Sequence, residues 1–163
     1  MDERRVERDR VAALLDLQEG RPSVPLLDAE GIAELLRSHP RIAVIGASSS
    51  PFRPSNGVFQ DLRRFGYDVV PVNPAETEVA GEHCYPTLAA AVEATGPVDL
   101  VDVFRRPEAC PAHAREAVAV GARCLWLQLG IVSPEAAGIA AAGGLAVVMD
   151  RCTVIEHARL SGG

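Results

Sequence analysis

The chain is predicted to form an α/β domain, a Rossmann-like doubly wound parallel sheet of about five strands with helices on both faces, preceded by N-terminal helices. Three observations predict it. Five short apolar runs recur along the 163 residues, at 42–46, 68–72, 99–104, 123–129 and 145–149. Segments with helical spacing of apolar residues separate them, which is the alternation of a sheet joined by crossover helices. The first run is continuous rather than alternating, as befits a parallel strand covered on both faces, and Gly46 closes it where a sharp turn is needed.

Each element has its own signals. Residues 4–18 carry Val6, Val11, Leu14 and Leu15 on one stripe, and Gly20-Arg21-Pro22-Ser23 ends that helix. Asp28 is the N-cap of a second helix with Ile32, Leu35 and Leu36 at helical spacing, stopping before Pro40. After the strand at 42–46, a helix is expected at about 56–65 with Val58, Leu62 and Phe65 facing the core and Gly66 as its stop. Asn73-Pro74 ends the second strand, and residues 76–86 read as irregular. A short Ala-rich helix is expected at 88–94. Pro107 and Pro111 confine the start of the next helix, which continues through Ala114, Ala117 and Val118 to Gly121. Ser133-Pro134-Glu135 supplies an N-cap, an N1 proline and an acidic first turn, and Gly143-Gly144 ends that helix before the last strand. The expected organisation is an N-terminal helical extension over 1–27 and a Rossmann-like domain over 28–163.

Composition excludes several functions. Only 4% of residues are aromatic and the net charge is -6, so neither a stacking platform nor an electrostatic footprint for nucleic acid is present. The 16 basic residues are all Arg, so any cationic side-chain contact to a phosphate is made by a guanidinium. No apolar stretch resembles a leader or is long enough to span a bilayer, and a soluble cytoplasmic protein without a membrane partner is expected. Cys84, Cys110, Cys124 and Cys152 are far apart and form no C-x-x-C pair with one another, nor a ligand set with His39, His83, His113 and His157. Reduced thiols and no metal site are expected. The charged N-terminal residues mix both signs, as on a solvated face. The apolar stripe of that helix must cover either its own sheet or a second copy, which makes a homo-oligomer through the helix one expectation.

In such sheets a ligand lies outside the carboxyl ends of the strands at the switch in strand order. The residues just past the strands are Gly46-Ala47-Ser48, Asn73-Pro74, Arg105-Arg106-Pro107, Gly130-Ile131 and Asp150-Arg151-Cys152. Two of these groups carry Arg and only the last carries a carboxylate, so a locally positive crevice suited to phosphate is expected. A dinucleotide fingerprint is absent. No second Gly follows Gly46 until Gly57, and the second strand ends in Val72-Asn73-Pro74 without the acid that would accept from a ribose. No Gly-Lys-Ser/Thr exists for a Walker A loop either.

The motifs Gly46-Ala47-Ser48 with Arg53-Pro54-Ser55-Asn56-Gly57, Pro71-Val72-Asn73-Pro74, Val101-Asp102-Val103-Phe104-Arg105-Arg106, Trp126-Leu127-Gln128-Leu129-Gly130-Ile131 and Met149-Asp150-Arg151-Cys152 through Glu156 follow in order. With Gly66-Tyr67 and Gly81 to Tyr85-Pro86 between them, they make residues 28–160 resemble the small stand-alone CoA-binding proteins. That family is similar in fold to the N-terminal domain of the succinyl-CoA synthetase alpha subunit.

The resemblance implies a site for coenzyme A or an acyl-CoA. By its motifs, Gly46, Ala47 and Ser48 would contact the pyrophosphate and Arg53 would reach a phosphate. Val72, Asn73 and Pro74 would border the adenine or ribose, and Val103, Phe104 and Arg105 would line the opposite wall. Asn73 in place of an acid removes repulsion against the 3′-phosphate. Neither an ATP-grasp partner nor the Gly-flanked phosphohistidine segment of the ligase is evident, so binding is expected without a complete ligase active site, and whether a reaction is catalysed stays open. The alternative is a nucleotide-dependent oxidoreductase or a CoA-thiol redox protein using Cys152. Against that, Cys152 reads better as a packing residue with Arg151 and Glu156 paired beside it, since a buried free Cys is common and Glu156 disfavours the thiolate. Trp126 is expected in the core, Arg63-Arg64 on a solvated helix face, and Arg105 rather than Arg106 toward the crevice.

Overall fold

The computed structural model describes residues 24–160 together with Arg4, Arg8 and Val11, which are helical. Apart from those three positions, the helix expected at 4–18 lies outside the described residues. The rest follows the predicted alternation. Helix α1 (Ala29–Arg37) leads to β1 (Ile42–Ile45), α2 (Pro54–Arg64) and β2 (Val69–Val72). After the short strands β3 (Glu78–Val79) and β4 (Glu82–His83) come α3 (Leu88–Thr95), β5 (Leu100–Val103) and α4 (Cys110–Ala119). Strand β6 (Cys124–Leu127), α5 (Pro134–Ala142), β7 (Ala146–Val148) and α6 (Thr153–Leu160) complete the order.

The main sheet has the order β2-β1-β5-β6-β7, with every neighbouring pair parallel. Every residue of β1, β2, β5 and β6 is buried, which is why their sequences are apolar at every position except Asp102. Successive side chains serve opposite faces. Ala43, Ile45, Val101, Val103, Leu125 and Leu127 pack with Leu88 of α3, Ala114 of α4 and Ala137 of α5. Ile42, Val44, Leu100 and Trp126 pack with Leu36 of α1, Phe59 and Leu62 of α2, and Val154 and Leu160 of α6. Full burial of a large aliphatic or aromatic side chain contributes about 1.5–3 kcal/mol, so these two layers hold the sheet between them. Trp126 is fully buried, with its indole N–H donating to the Arg151 carbonyl at 2.7 Å.

The structure differs from the sequence expectation in four places. Helix α2 begins at Pro54 rather than near 56, because Pro54 supplies N1, and its buried face is Ser55, Asn56, Phe59 and Leu62. Val58 and Phe65 are only half-buried at the margin of that face. Residues 76–86 are not wholly irregular, since β3 and β4 pair antiparallel around Ala80 and Gly81, both at positive φ. The strands are shorter by one to three residues than their expected runs, and of the freed residues Gly46, Phe104, Gln128 and Leu129, at carboxyl ends, line the crevice. Helix α6 has no sequence assignment of its own, and its start is fixed by contacts distant in sequence. Thr153 N donates to Gln128 Oε1 at 3.0 Å, and Thr153 Oγ1 donates to Asp102 Oδ2 at 3.1 Å.

Both sheet edges are covered by chain. The Leu27 amide donates to the Val147 carbonyl at 3.0 Å along β7, and Tyr85 bridges to Val72 along β2.

Candidate functional site

Strand β1 lies between β2 and β5, so the chain order reverses there and the loops leaving β1 and β5 diverge to opposite faces. The gap they leave is a crevice of about 690 Å³ at the carboxyl ends of the strands. One wall is formed by Gly46, Ser48, Arg53, Pro54, Ser55 and Val58 of the β1–α2 connection. Opposite stand Phe104, Arg105 and Arg106 after β5, flanked by Asn73 and Glu76 after β2. Gln128, Leu129, Ile131 and Cys152 close the end beneath β6 and β7.

Gly46 makes this approach possible. Its φ is +83°, and a Cβ on it would lie 2.4 Å from the Phe104 carbonyl oxygen, so any other residue would push the β1 and β5 loops apart. Asn73 ties the same loops together from the β2 side. Its Nδ2 donates to the Ala47 carbonyl at 2.8 Å, while its Oδ1 accepts from the Ala75 amide at 2.9 Å and from an Arg105 Nη2 at 3.3 Å. Asn56 performs the same task within the β1–α2 loop, donating to the Ser48 carbonyl at 2.9 Å. These amide side chains position a rigid frame; each buried group that loses its partner would cost about 1–3 kcal/mol.

The frame carries positive charge. Helix α2 starts without a side-chain cap and without an acidic residue in its first turn, so its N-terminal dipole is uncompensated by the chain. Arg53 and Arg106 are exposed, and among the described residues neither guanidinium has a hydrogen-bond or ion-pair partner. Arg105 is half-buried and donates to Asn73.

Of the residues singled out from sequence, Gly46, Ser48, Arg53, Asn73, Phe104, Arg105 and Cys152 come together around the crevice. Ala47, Val72 and Val103 are buried in the core, and Pro74 is exposed outside the lining. Two expectations are corrected. Arg106 joins Arg105 in the crevice because β5 ends at Val103, so the pair lies on a loop where the alternation of an extended strand no longer applies. The crevice also holds a carboxylate away from its β7 end, since the turn after β2 brings Glu76 into the lining. Of the other lining residues missed from sequence, Pro54, Ser55 and Val58 lie in the first turns of α2, while Gln128 and Leu129 sit just past the observed end of β6. The apolar run hid that end by continuing into the loop.

The remaining titratable groups divide between structure and site. Arg151 pairs with Glu156 at 3.2 Å, and Arg159 pairs with the same carboxylate at 3.1 Å, so the guanidinium beside Cys152 is already engaged. Cys152 is half-buried in the lining, with Gln128 Nε2 3.8 Å from its sulfur. Burial pushes the thiols of Cys110 and Cys124 up to about 12, which makes them inert packing groups. Asp102 is fully buried on β5 with Oδ1 unpartnered, and desolvation raises its pKa well above the usual carboxylate range. His113 lies 3.5 Å from Glu116, too loose for a good hydrogen bond, and burial lowers its pKa. Among the described residues, no group of His, Cys, Asp and Glu is placed to hold a metal ion, and no helix is long and apolar enough to cross a membrane.

Fold and crevice together define a Rossmann-like α/β domain with a cationic cleft at its switch point. Residues 40–158 match the CoA binding domain family model, and the chain belongs to that family. It is 39% identical over 127 residues to the uncharacterized protein YneT of Bacillus subtilis, a match covering 78% of this chain and 92% of that protein. A hypothetical protein from Pyrococcus horikoshii OT3 is 38% identical, with a TM-score of 0.78 over 83% of this chain and 94% of its own. The dinucleotide forming acetyl-coenzyme A synthetase 1 of Candidatus Korarchaeum cryptofilum shares the fold. It is 20% identical with a TM-score of 0.57, over 68% of this chain and 26% of that larger one.

Proposed function

We propose that the crevice binds coenzyme A or an acyl-CoA and that the chain acts as a binding module without a complete ligase active site. The observation that carries this reading is the convergence of Arg53, Arg105 and Arg106 on one cleft, beside an uncapped helix start, in a chain of net charge -6. Coenzyme A is a polyanion at one end, with a pyrophosphate and a ribose 3′-phosphate, and an uncharged pantetheine thiol at the other. Guanidinium groups form charge-assisted, often bidentate hydrogen bonds to phosphate oxygens, and a helix N-terminus adds amides and a favourable dipole. The crevice is asymmetric in the same sense. Its arginines gather by β1, β2 and β5, and Leu129, Ile131 and Cys152 lie at the far end. The pyrophosphate then lies against Gly46 and Ser48, where a side chain in place of Gly46 would obstruct it, and the pantetheine arm runs toward β6. A volume of about 690 Å³ suits a ligand of this class.

Titration calorimetry with coenzyme A, acetyl-CoA, NAD and NADP tests the reading. Saturable binding of coenzyme A and acetyl-CoA with weak or no binding of the dinucleotides is expected. Binding of NAD without binding of coenzyme A would overturn it.

A second reading is favoured by the place of Cys152 at the thiol end of the crevice. There its thiolate would attack a CoA disulfide, forming a Cys152–CoA mixed disulfide and releasing one CoA thiolate, with no net change in oxidation. Intact-mass measurement after exposure to CoA disulfide would show one added CoA on the wild type and none on Cys152→Ser. Equal modification of the two proteins would remove the redox reading.

A further inference from the structure

The acid that the sequence lacks directly after β2 is supplied by the fold. Glu76 lies four residues beyond Val72, the end of β2. The turn between them is held by the Glu76 amide donating to the Asn73 carbonyl at 3.2 Å and by Asn73 Oδ1 accepting from Ala75. That turn places Glu76 in the lining of the crevice, where it is the only acidic residue among fifteen. It is half-buried, and among the described residues no Arg or His is paired with it. Its charge reaches the interior as well, since it contributes to holding the Cys84 thiol above its ordinary pKa. In sheets of this kind a carboxylate at the carboxyl end of the strand beside β1 stands where a nucleotide's ribose hydroxyls arrive. It accepts hydrogen bonds from them and repels a phosphate carried on the same ring.

Resting on the coenzyme A reading and refining it, we propose that Glu76 is a specificity residue. It accepts from the ligand's ribose hydroxyls and disfavours phosphate on that ribose. The preferred ligand class is therefore an adenosine-diphosphate ester of pantetheine with an unphosphorylated ribose, the chemistry of dephospho-CoA. Arg105, which reaches Asn73 from the other side of the same turn, partly offsets the repulsion and keeps coenzyme A itself within the range of the site.

Calorimetry on the full chain with dephospho-CoA and coenzyme A, for the wild type and Glu76→Gln, tests this. The substitution lies on a half-buried turn and removes charge with little change of shape, and a thermal melt checks that the fold is intact. The wild type is expected to bind dephospho-CoA at least as tightly as coenzyme A. Glu76→Gln is expected to shift the ratio of the two affinities toward coenzyme A by about fivefold, the effect of relieving one partly exposed like-charge contact. A ratio that the substitution leaves unchanged overturns the role of Glu76, while binding of neither ligand to the wild type overturns the coenzyme A reading beneath it.

Discussion

The two ends of the sheet use the same residue type in opposite ways. At the amino ends, Arg41 just before β1 is consumed by the fold. Its Nε pairs with Asp68 Oδ2 at 2.9 Å, its Nη1 donates to the carbonyls of Gly96 and Pro97 at 2.9 and 3.3 Å, and its amide donates to Asp99 Oδ2 at 2.8 Å. One guanidinium thereby ties together the starts of β1, β2 and β5. At the carboxyl ends, Arg53 and Arg106 have no such partners among the described residues, and the loops there are tied by neutral amides, Asn73 and Asn56. Guanidinium groups that the chain itself satisfies hold structure; those it leaves unpaired beside a cleft are available to an anion. The difference separates a stability end from the proposed binding end on a single sheet.

Substitutions at the two ends should therefore part stability from binding. The largest effect is expected at Gly46, where Gly46→Ala combines a strained positive φ with a 2.4 Å clash against the Phe104 carbonyl. A loss of about 2–4 kcal/mol in urea unfolding is expected, with coenzyme A binding abolished, because strain and overpacking each cost about 1–3 kcal/mol. Next, Arg105→Ala or Arg53→Ala should weaken coenzyme A by about 1–3 kcal/mol in calorimetry, as for a lost charged hydrogen bond, with the urea midpoint nearly unchanged for Arg53.

Asp102 gives a pH signature to the interior between these ends. Its folded pKa is raised by burial, so the stabilisation it gives is fully present below the unfolded value of about 4 and is lost as pH rises through the folded pKa. Its contribution to the slope is up to about 1.4 kcal/mol per pH unit across that window, and Asp102→Asn should remove it from a series of urea titrations. A slope identical in the variant would place the titrating group elsewhere. The smallest effect is expected at Arg41→Ala, a loss of about 1 kcal/mol of stability with coenzyme A affinity unchanged.

The strands, their order of appearance and the turn at Gly46 were legible because each rests on local chemistry. A doubly buried strand is apolar at nearly every position, Asp102 being the exception in β5, and a positive φ against a neighbouring carbonyl has to be Gly. The helix start at Pro54 was legible in principle through N1 proline. It was displaced because Ser55 and Asn56 are polar yet buried, and Asn56 is buried only for its bond to the Ser48 carbonyl. Helix α6 was hidden for a similar reason, its start resting on Gln128 and Asp102, at 25 and 51 residues' separation. Within the crevice, Arg53 and Arg105 could be picked out as arginines beside strand ends. Arg106 and Glu76 could not, because their direction depends on where a strand stops and how tightly a turn closes, and the apolar pattern blurs both by one to three residues.

The central claim is that the unpaired arginines at the carboxyl end hold the phosphates of coenzyme A. The most direct measurement is a calorimetric titration of coenzyme A into the wild type, the double variant Arg53→Ala/Arg106→Ala and Arg41→Ala. Saturable binding to the wild type is expected, weakened by at least about tenfold in the double variant, for which 1.4 kcal/mol suffices, and retained in Arg41→Ala. Equal affinity in the wild type and the double variant would contradict it.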